Sequence, residues 1–386
     1  MTTAMNQTRL WFLQAARGIA CLFIVYVHWI WAIRDPNSGA QFVHLLPMSD
    51  YIPSTFPDHV IDFFARFVQF DFREVYFGLG LFFLISGYVI PLSMGKGSQV
   101  EYLLRRIFRI YPVVVACTLI AFFAVAMDRW VSGASSYLPI DGPTLWANIL
   151  LIRDFKQYQF MDPSLWTLEV EMHFYVICFF IGFRGAYKSA TVLLSIAGAF
   201  CLMSFYSAAP ALANTFPGVV VDVLGNNGAF ITLMLVGTAL FNRSFNGWSL
   251  RKTALVIAAL LFANKFCLST HRFYAGDTGL YMYSNHIVAI LFFMALLLAG
   301  PRLPYVRWLD RLANVSYPLY LLHGAAAYAV FFTAFRLTGS TVVAGIVAAV
   351  SVVIATWFVH VYVENVGIAI GKKLRRQIPT PQPPTP

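Results

Sequence analysis

Leu10-Trp11-Phe12-Leu13-Gln14-Ala15-Ala16-Arg17-Gly18-Ile19-Ala20-Cys21-Leu22-Phe23-Ile24-Val25-Tyr26-Val27-His28-Trp29-Ile30-Trp31-Ala32-Ile33 decides the fold class. At about 1.5 Å per residue, a helix of this length crosses the roughly 30 Å hydrocarbon core of a bilayer. The run follows a short polar N-terminus, lacks a small-residue cleavage site and is longer than a signal-peptide core, so it reads as a retained span. Similar runs recur as far as residue 370. The chain of 386 residues is 59% hydrophobic and 11% charged, against roughly a quarter charged in a soluble domain. A soluble enzyme is excluded. No polar block is long enough to fold separately, so we read one integral membrane domain over residues 1–376 and a disordered Pro-rich tail over 377–386.

Stretches of about 20 apolar residues fall near residues 10–33, 75–95, 110–128, 166–183, 189–208, 218–241, 253–268, 280–299, 313–335 and 341–363. They predict an all-α polytopic membrane helix bundle of about ten transmembrane helices. Assigning alternate connections to opposite sides places 17 basic residues on one side and eight on the other, which also receives most of the acidic residues. The basic side is cytoplasmic, and both termini lie there. Two long extracytoplasmic loops follow, at 34–74 and 129–165. The net charge of +10 is therefore a topology signal, with no nucleic-acid partner implied. No internal repeat is visible, which argues against an inverted-repeat transporter. The cysteines lie in apolar runs without C-x-x-C spacing and indicate neither a disulfide frame nor a metal site.

Ionisable residues inside spans are costly unless they face a polar interior, so they are the candidates for function. Arg17 and His28 are 11 residues apart in the first span, and 11 steps of about 100° bring them onto one helix face, a rise of roughly 16 Å. The fourth span opens with Trp166-Thr167-Leu168-Glu169-Val170-Glu171-Met172-His173-Phe174-Tyr175. Glu171 falls at a depth similar to His28, and a carboxylate on one imidazole nitrogen raises the basicity of the other, as an acid/base catalyst needs. Phe82-Phe83-Leu84-Ile85-Ser86-Gly87-Tyr88 carries a small pair that permits close packing, with Ser86 a secondary site candidate. Arg105, Arg106 and Arg109 precede Tyr111-Pro112 on the cytoplasmic side, where they could grip phosphates bidentately or contact anionic lipid head groups. Asp222, Asn226, Asn227, His286 and His323 add polar groups that should face inward.

Five of these segments, in order, resemble the acyltransferase-3 family of integral membrane O-acyltransferases. Arg17 and His28, with ten residues between, resemble its first-helix signature, and Phe82 to Tyr88 its F-F-x-x-S-G-[YF] segment. Arg106 to Pro112 resembles R-x-x-R-x-x-P, Trp166 to Tyr175 resembles W-[ST]-L-x-x-E-x-x-F-Y, and Ser316 to His323 resembles S-Y-x-x-Y-L-x-H. Glu169 and His173 depart from the family pattern, where a small polar residue and Gln are common.

The resemblance implies an acyl-CoA donor, taken as acetyl-CoA, from the cytoplasm and an acceptor hydroxyl outside. No cofactor is permanently bound and no metal is needed. It makes His28 catalytic, matches Glu171 to the family's fourth-helix carboxylate and gives Arg17, Arg106 and Arg109 to donor binding; our own reading of the residues has Glu171 orient His28, adds Arg105 to the donor grip and places Ser86, Glu169, His286 and His323 on the substrate side. The expected acceptor is a carbohydrate such as an exopolysaccharide or O-antigen, at a bacterial inner membrane and alongside glycan-assembly proteins. The alternatives are a small lipophilic acceptor such as a macrolide, or a proton-coupled transporter.

Overall fold

The computed structural model describes residues 11–34, 73–94, 98–134, 140–212, 215–274 and 276–377. All regular structure among them is helical. The helices longer than two turns are α1 (Trp11–Arg34), α2 (Glu74–Val89), α3 (Gln99–Val131), α4 (Gly142–Ile149), α5 (Leu165–Gly182), α6 (Ala190–Tyr206), α7 (Phe216–Phe245), α8 (Leu250–Thr270), α9 (Asp277–Ala299), α10 (Arg307–Leu322), α11 (Ala325–Thr338), α12 (Thr341–Val359) and α13 (Asn365–Gln377).

Among the described residues, eight helical stretches are long and apolar enough to cross a membrane, and the pair α10–α11, bent by 68°, makes nine if it counts as one span. The shorter apolar helix α6 occupies the fifth expected position, 189–208. The chain is thus an integral, multi-pass, all-α membrane protein. Most of the loop expected at 34–74 and nearly all of the Pro-rich tail lie outside the described residues. The loop expected at 129–165 carries α4, whose start is capped by Asp141 accepting from the Thr144 amide at 2.9 Å, with Pro143 in its first turn.

The described residues gather into two compact units, one drawn from residues 1–82, 117–166 and 276–357, the other from 83–116, 167–275 and 358–386. In the first, α1 and α10 run parallel and meet along a stripe spaced by about one helical turn. Arg17 Nη2 donates to the Ala313 carbonyl at 2.8 Å and Cys21 Sγ contacts the Ser316 carbonyl at 3.4 Å. Further along the same stripe, His28 reaches His323. The shared face of Arg17 and His28 read from their spacing is therefore the face that α1 turns to α10.

In the second unit α7 is the central helix, buried almost all round from Val223 to Asn242. Lipid leaves little hydrophobic drive for one helix to seek another, so close van der Waals packing and internal hydrogen bonds hold such a helix. Gly87 of α2 supplies the packing: a methyl group there would overlap the Met234 carbonyl of α7. Thr238 Oγ1 bonds the Gly87 carbonyl at 3.0 Å, and Asn264 Nδ2 of α8 bonds the Ala229 carbonyl at 2.6 Å. Phe83, Phe174 and Phe230 fill the space between, each with no exposed surface.

Candidate active site

In the first unit, His28 Nδ1 lies 2.8 Å from His323 Nε2, and the two rings are coplanar within 2°. Their centroids are 5.0 Å apart, the separation that an in-line bond between edge-on imidazoles requires, so the rings are joined edge to edge and not stacked. The hydrogen-bond network assigns the protons. His323 Nδ1 faces the Tyr320 carbonyl oxygen at 2.6 Å, and a carbonyl only accepts, so Nδ1 of His323 carries the proton. Neutral His323 therefore accepts at Nε2, and His28 donates from Nδ1. The lone pair of His28 is left on Nε2. Glu171 was the expected partner for His28; at Nδ1 that place is taken by His323.

The pair sits where α10 breaks from α11. A helix break strands carbonyls on one side and amides on the other, and in a membrane these must find partners inside the protein. Trp29 Nε1 of α1 donates to the His323 carbonyl at 2.9 Å, and Tyr328 Oη of α11 donates to the His28 carbonyl at 3.0 Å. Asp162 takes the first amide of α11, accepting from Ala325 N on Oδ2 at 2.6 Å. Its Oδ1 accepts from Ser164 N at 2.8 Å and Ser164 Oγ at 2.5 Å. Burial pushes the Asp162 carboxyl up from the usual carboxylate range, while the bonds from Ser164 and Ala325 and the nearby His28 pull it back down. The N-terminus of α11 acts in the same downward sense.

The second unit holds a different polar cluster. Glu171 Oε1 accepts from Tyr175 Oη at 2.6 Å and from Ser86 Oγ at 3.4 Å. The Arg106 guanidinium is 5.0 Å from the centre of the Tyr175 ring and 5.5 Å from that of Tyr102, and Nη2 donates to Ser93 Oγ. Arg105 Nη2 donates to the Ser93 carbonyl at 3.2 Å. Arg109, half-buried, makes no hydrogen bond to a described residue.

His28, His323 and Arg17 share the α1–α10 stripe, whereas Ser86, Glu171 and Arg106 meet in the second unit and Arg105 joins them through Ser93. Glu169 is buried in α5 at 2% exposure. His286 is fully buried in α9 against Gly80 of α2, where a methyl group would stand 3.3 Å from its Cδ2. Outside both clusters, Asp222 pairs with His271 and Arg272, and Asn227 bonds His173 at 3.0 Å. Sequence reasoning missed Asp162, Trp29 and Tyr328. Asp162 stands in Asp162-Pro163-Ser164, a turn signature at the mouth of a span, and an acidic residue with a serine two places on was the available cue.

The family described as an acyltransferase domain, Acyl_transf_3, matches residues 10–361 of the chain. Comparison with curated proteins and with solved structures returns no match.

Proposed function

We propose a reaction from the premise that this chain belongs to the acyltransferase-3 family and is a membrane acyltransferase: an acyl group, taken as acetyl, moves from acyl-CoA to a hydroxyl of an extracytoplasmic carbohydrate at a bacterial inner membrane. The observation that carries the reading is the lone pair on His28 Nε2, left there by the chain of bonds through His323 to the Tyr320 carbonyl. A neutral imidazole with one nitrogen tied down and the other unprotonated is a general base.

The acceptor hydroxyl gives its proton to His28 Nε2 as its oxygen bonds to the thioester carbonyl carbon. The tetrahedral adduct then collapses, the carbon–sulfur bond breaks, and the CoA thiolate leaves with the proton from His28. Atoms and charge balance without a metal or a permanently bound cofactor. Of the arginines expected to hold the donor, Arg109 has no hydrogen bond to a described residue and is the guanidinium left to take an acyl-CoA phosphate.

The test compares ester-linked acyl groups on the cell's surface polysaccharide, by NMR and mass spectrometry, in three strains: wild type, a deletion, and the deletion carrying His28→Ala at matched membrane abundance. The expected result is loss of the acyl group on deletion and no recovery with His28→Ala. Unchanged acylation on deletion would overturn the carbohydrate acceptor; full recovery with His28→Ala would overturn the base.

A further inference from the structure

Cys201 of α6 and Cys267 of α8 stand 66 positions apart, a separation that gives the sequence no disulfide signature, yet the second unit brings their sulfurs to 3.9 Å. Contacts on both sides of the pair hold the two helices in register. Cys201 Sγ reaches the Ala263 carbonyl, one turn before Cys267, at 3.7 Å. Further along α6, Ser204 Oγ donates to the Cys267 carbonyl at 3.1 Å and meets Thr270 Oγ1 at 2.9 Å. The backbone of α8 is thus within reach of a serine side chain on α6. Rotation of the two cysteine side chains about their Cα–Cβ bonds is then enough to close the sulfurs to the roughly 2.05 Å of a disulfide. Helix α7 leaves the room: a methyl group at Gly228 would stand 2.9 Å from Cys267 Sγ.

We propose that Cys201 and Cys267 form a disulfide that fastens the outer end of α6 to α8. The two residues lie about 7.5 Å and about 4.5 Å short of the last residues of their helices. In the topology read from the basic residues those ends face the extracytoplasmic side, where disulfides form and persist. The oxidant is a disulfide of that compartment, carried by a thiol–disulfide exchange protein. Cys201, the more exposed of the two, attacks one sulfur of that disulfide, whose S–S bond breaks as the mixed disulfide forms. Cys267, 1% exposed, then displaces the oxidant's sulfur. The oxidant leaves reduced to a dithiol, with the two electrons and the two protons that the cysteines give up. The bond serves α6 in particular. Its 17 residues rise about 25 Å, short of the roughly 30 Å hydrocarbon core, so its length alone anchors it poorly.

The test traps free thiols with N-ethylmaleimide in whole source cells under denaturing conditions, digests the full chain and reads the cysteine peptides by mass spectrometry before and after reduction. The expected result is a joined Cys201–Cys267 peptide pair that separates only on reduction, with Cys21, Cys117 and Cys178 carrying the maleimide. Cys201 and Cys267 both carrying maleimide before reduction would overturn the bond and leave them as packing thiols. Either one joined to a different cysteine would overturn it as well. A second measurement reads the tether. The Tm of the purified protein in lipid nanodiscs is expected to fall by about 3 to 6 °C when a reductant is added. The protein carrying both Cys201→Ser and Cys267→Ser should melt with the reduced wild type and be indifferent to the reductant. A wild-type Tm that does not fall on reduction would overturn the fastening of α6. The peptide measurement is made on the wild type, so it decides the bond even where the substituted protein fails to insert.

Discussion

The His28 cluster and the Arg106 cluster are both buried, polar and assembled from distant parts of the chain, yet their hydrogen bonds end differently. Around Glu171 the hydroxyls of Tyr175 and Ser86 both reach Oε1, while Ser93 and two tyrosine rings flank Arg106. Around His28 the ring bonds run one way, from Nδ1 through His323 to a backbone carbonyl, and the last nitrogen keeps its lone pair. Hydroxyl and ring contacts of the first kind hold helices together. A network that ends on an open lone pair holds them together and can also accept a proton. Under the proposed reaction, chemistry belongs to the first cluster and architecture to the second, although both were singled out as functional on the same ground of ionisable groups inside spans.

The largest effect that bears on this contrast, after loss of His28 itself, comes from His323. Replacing His323 with Leu removes the acceptor that fixes the His28 tautomer, and acyl transfer is expected to fall on the order of 100-fold or more at normal membrane abundance. His323→Gln, whose amide can accept from His28 and donate to the Tyr320 carbonyl, should recover a measurable part of it. Equal activity in both variants would dissolve the distinction between the clusters.

Arg106→Gln is expected to act on stability before it acts on rate. Leaving the two tyrosine rings and Ser93 without their cation costs about 1–2 kcal/mol, read as lower membrane abundance and a lower Tm in detergent, and Arg106→Lys recovers only part because it lacks the planar fork. A variant of full stability with a raised KM for acetyl-CoA would move Arg106 from architecture to donor binding. The smallest effect is expected at Arg109, where Arg109→Gln should raise that KM by about five- to tenfold with Tm unchanged.

Much of this was legible in the chain. The lengths of the apolar runs located all ten helical positions, the ninth as a bent pair and the fifth as a short helix. The 11-residue spacing of Arg17 and His28 correctly put them on one face, and the Ser86-Gly87 pair correctly read as a close-packing site. The partner of His28 was not legible. Glu171 and His28 were matched by depth alone, and several polar groups share any given depth. Nor did Asp162 stand out, because it precedes a span and so does not carry the cost that marks an acid inside one.

What the sequence by itself determined is whatever depends on neighbours along the chain: helix lengths, the faces that residues share, the order of the spans and the family motifs. These follow from a rise of about 1.5 Å and about 100° per residue, which bind positions a few turns apart. Only the tertiary structure decided that His28 meets His323 across 295 positions, and that Asp162 caps α11 across 163. It also decided which nitrogen of His28 bears the proton. A tautomer is set by whatever stands at both ring nitrogens, and here the chain running from His28 to the Tyr320 carbonyl exists only once α1 lies along α10.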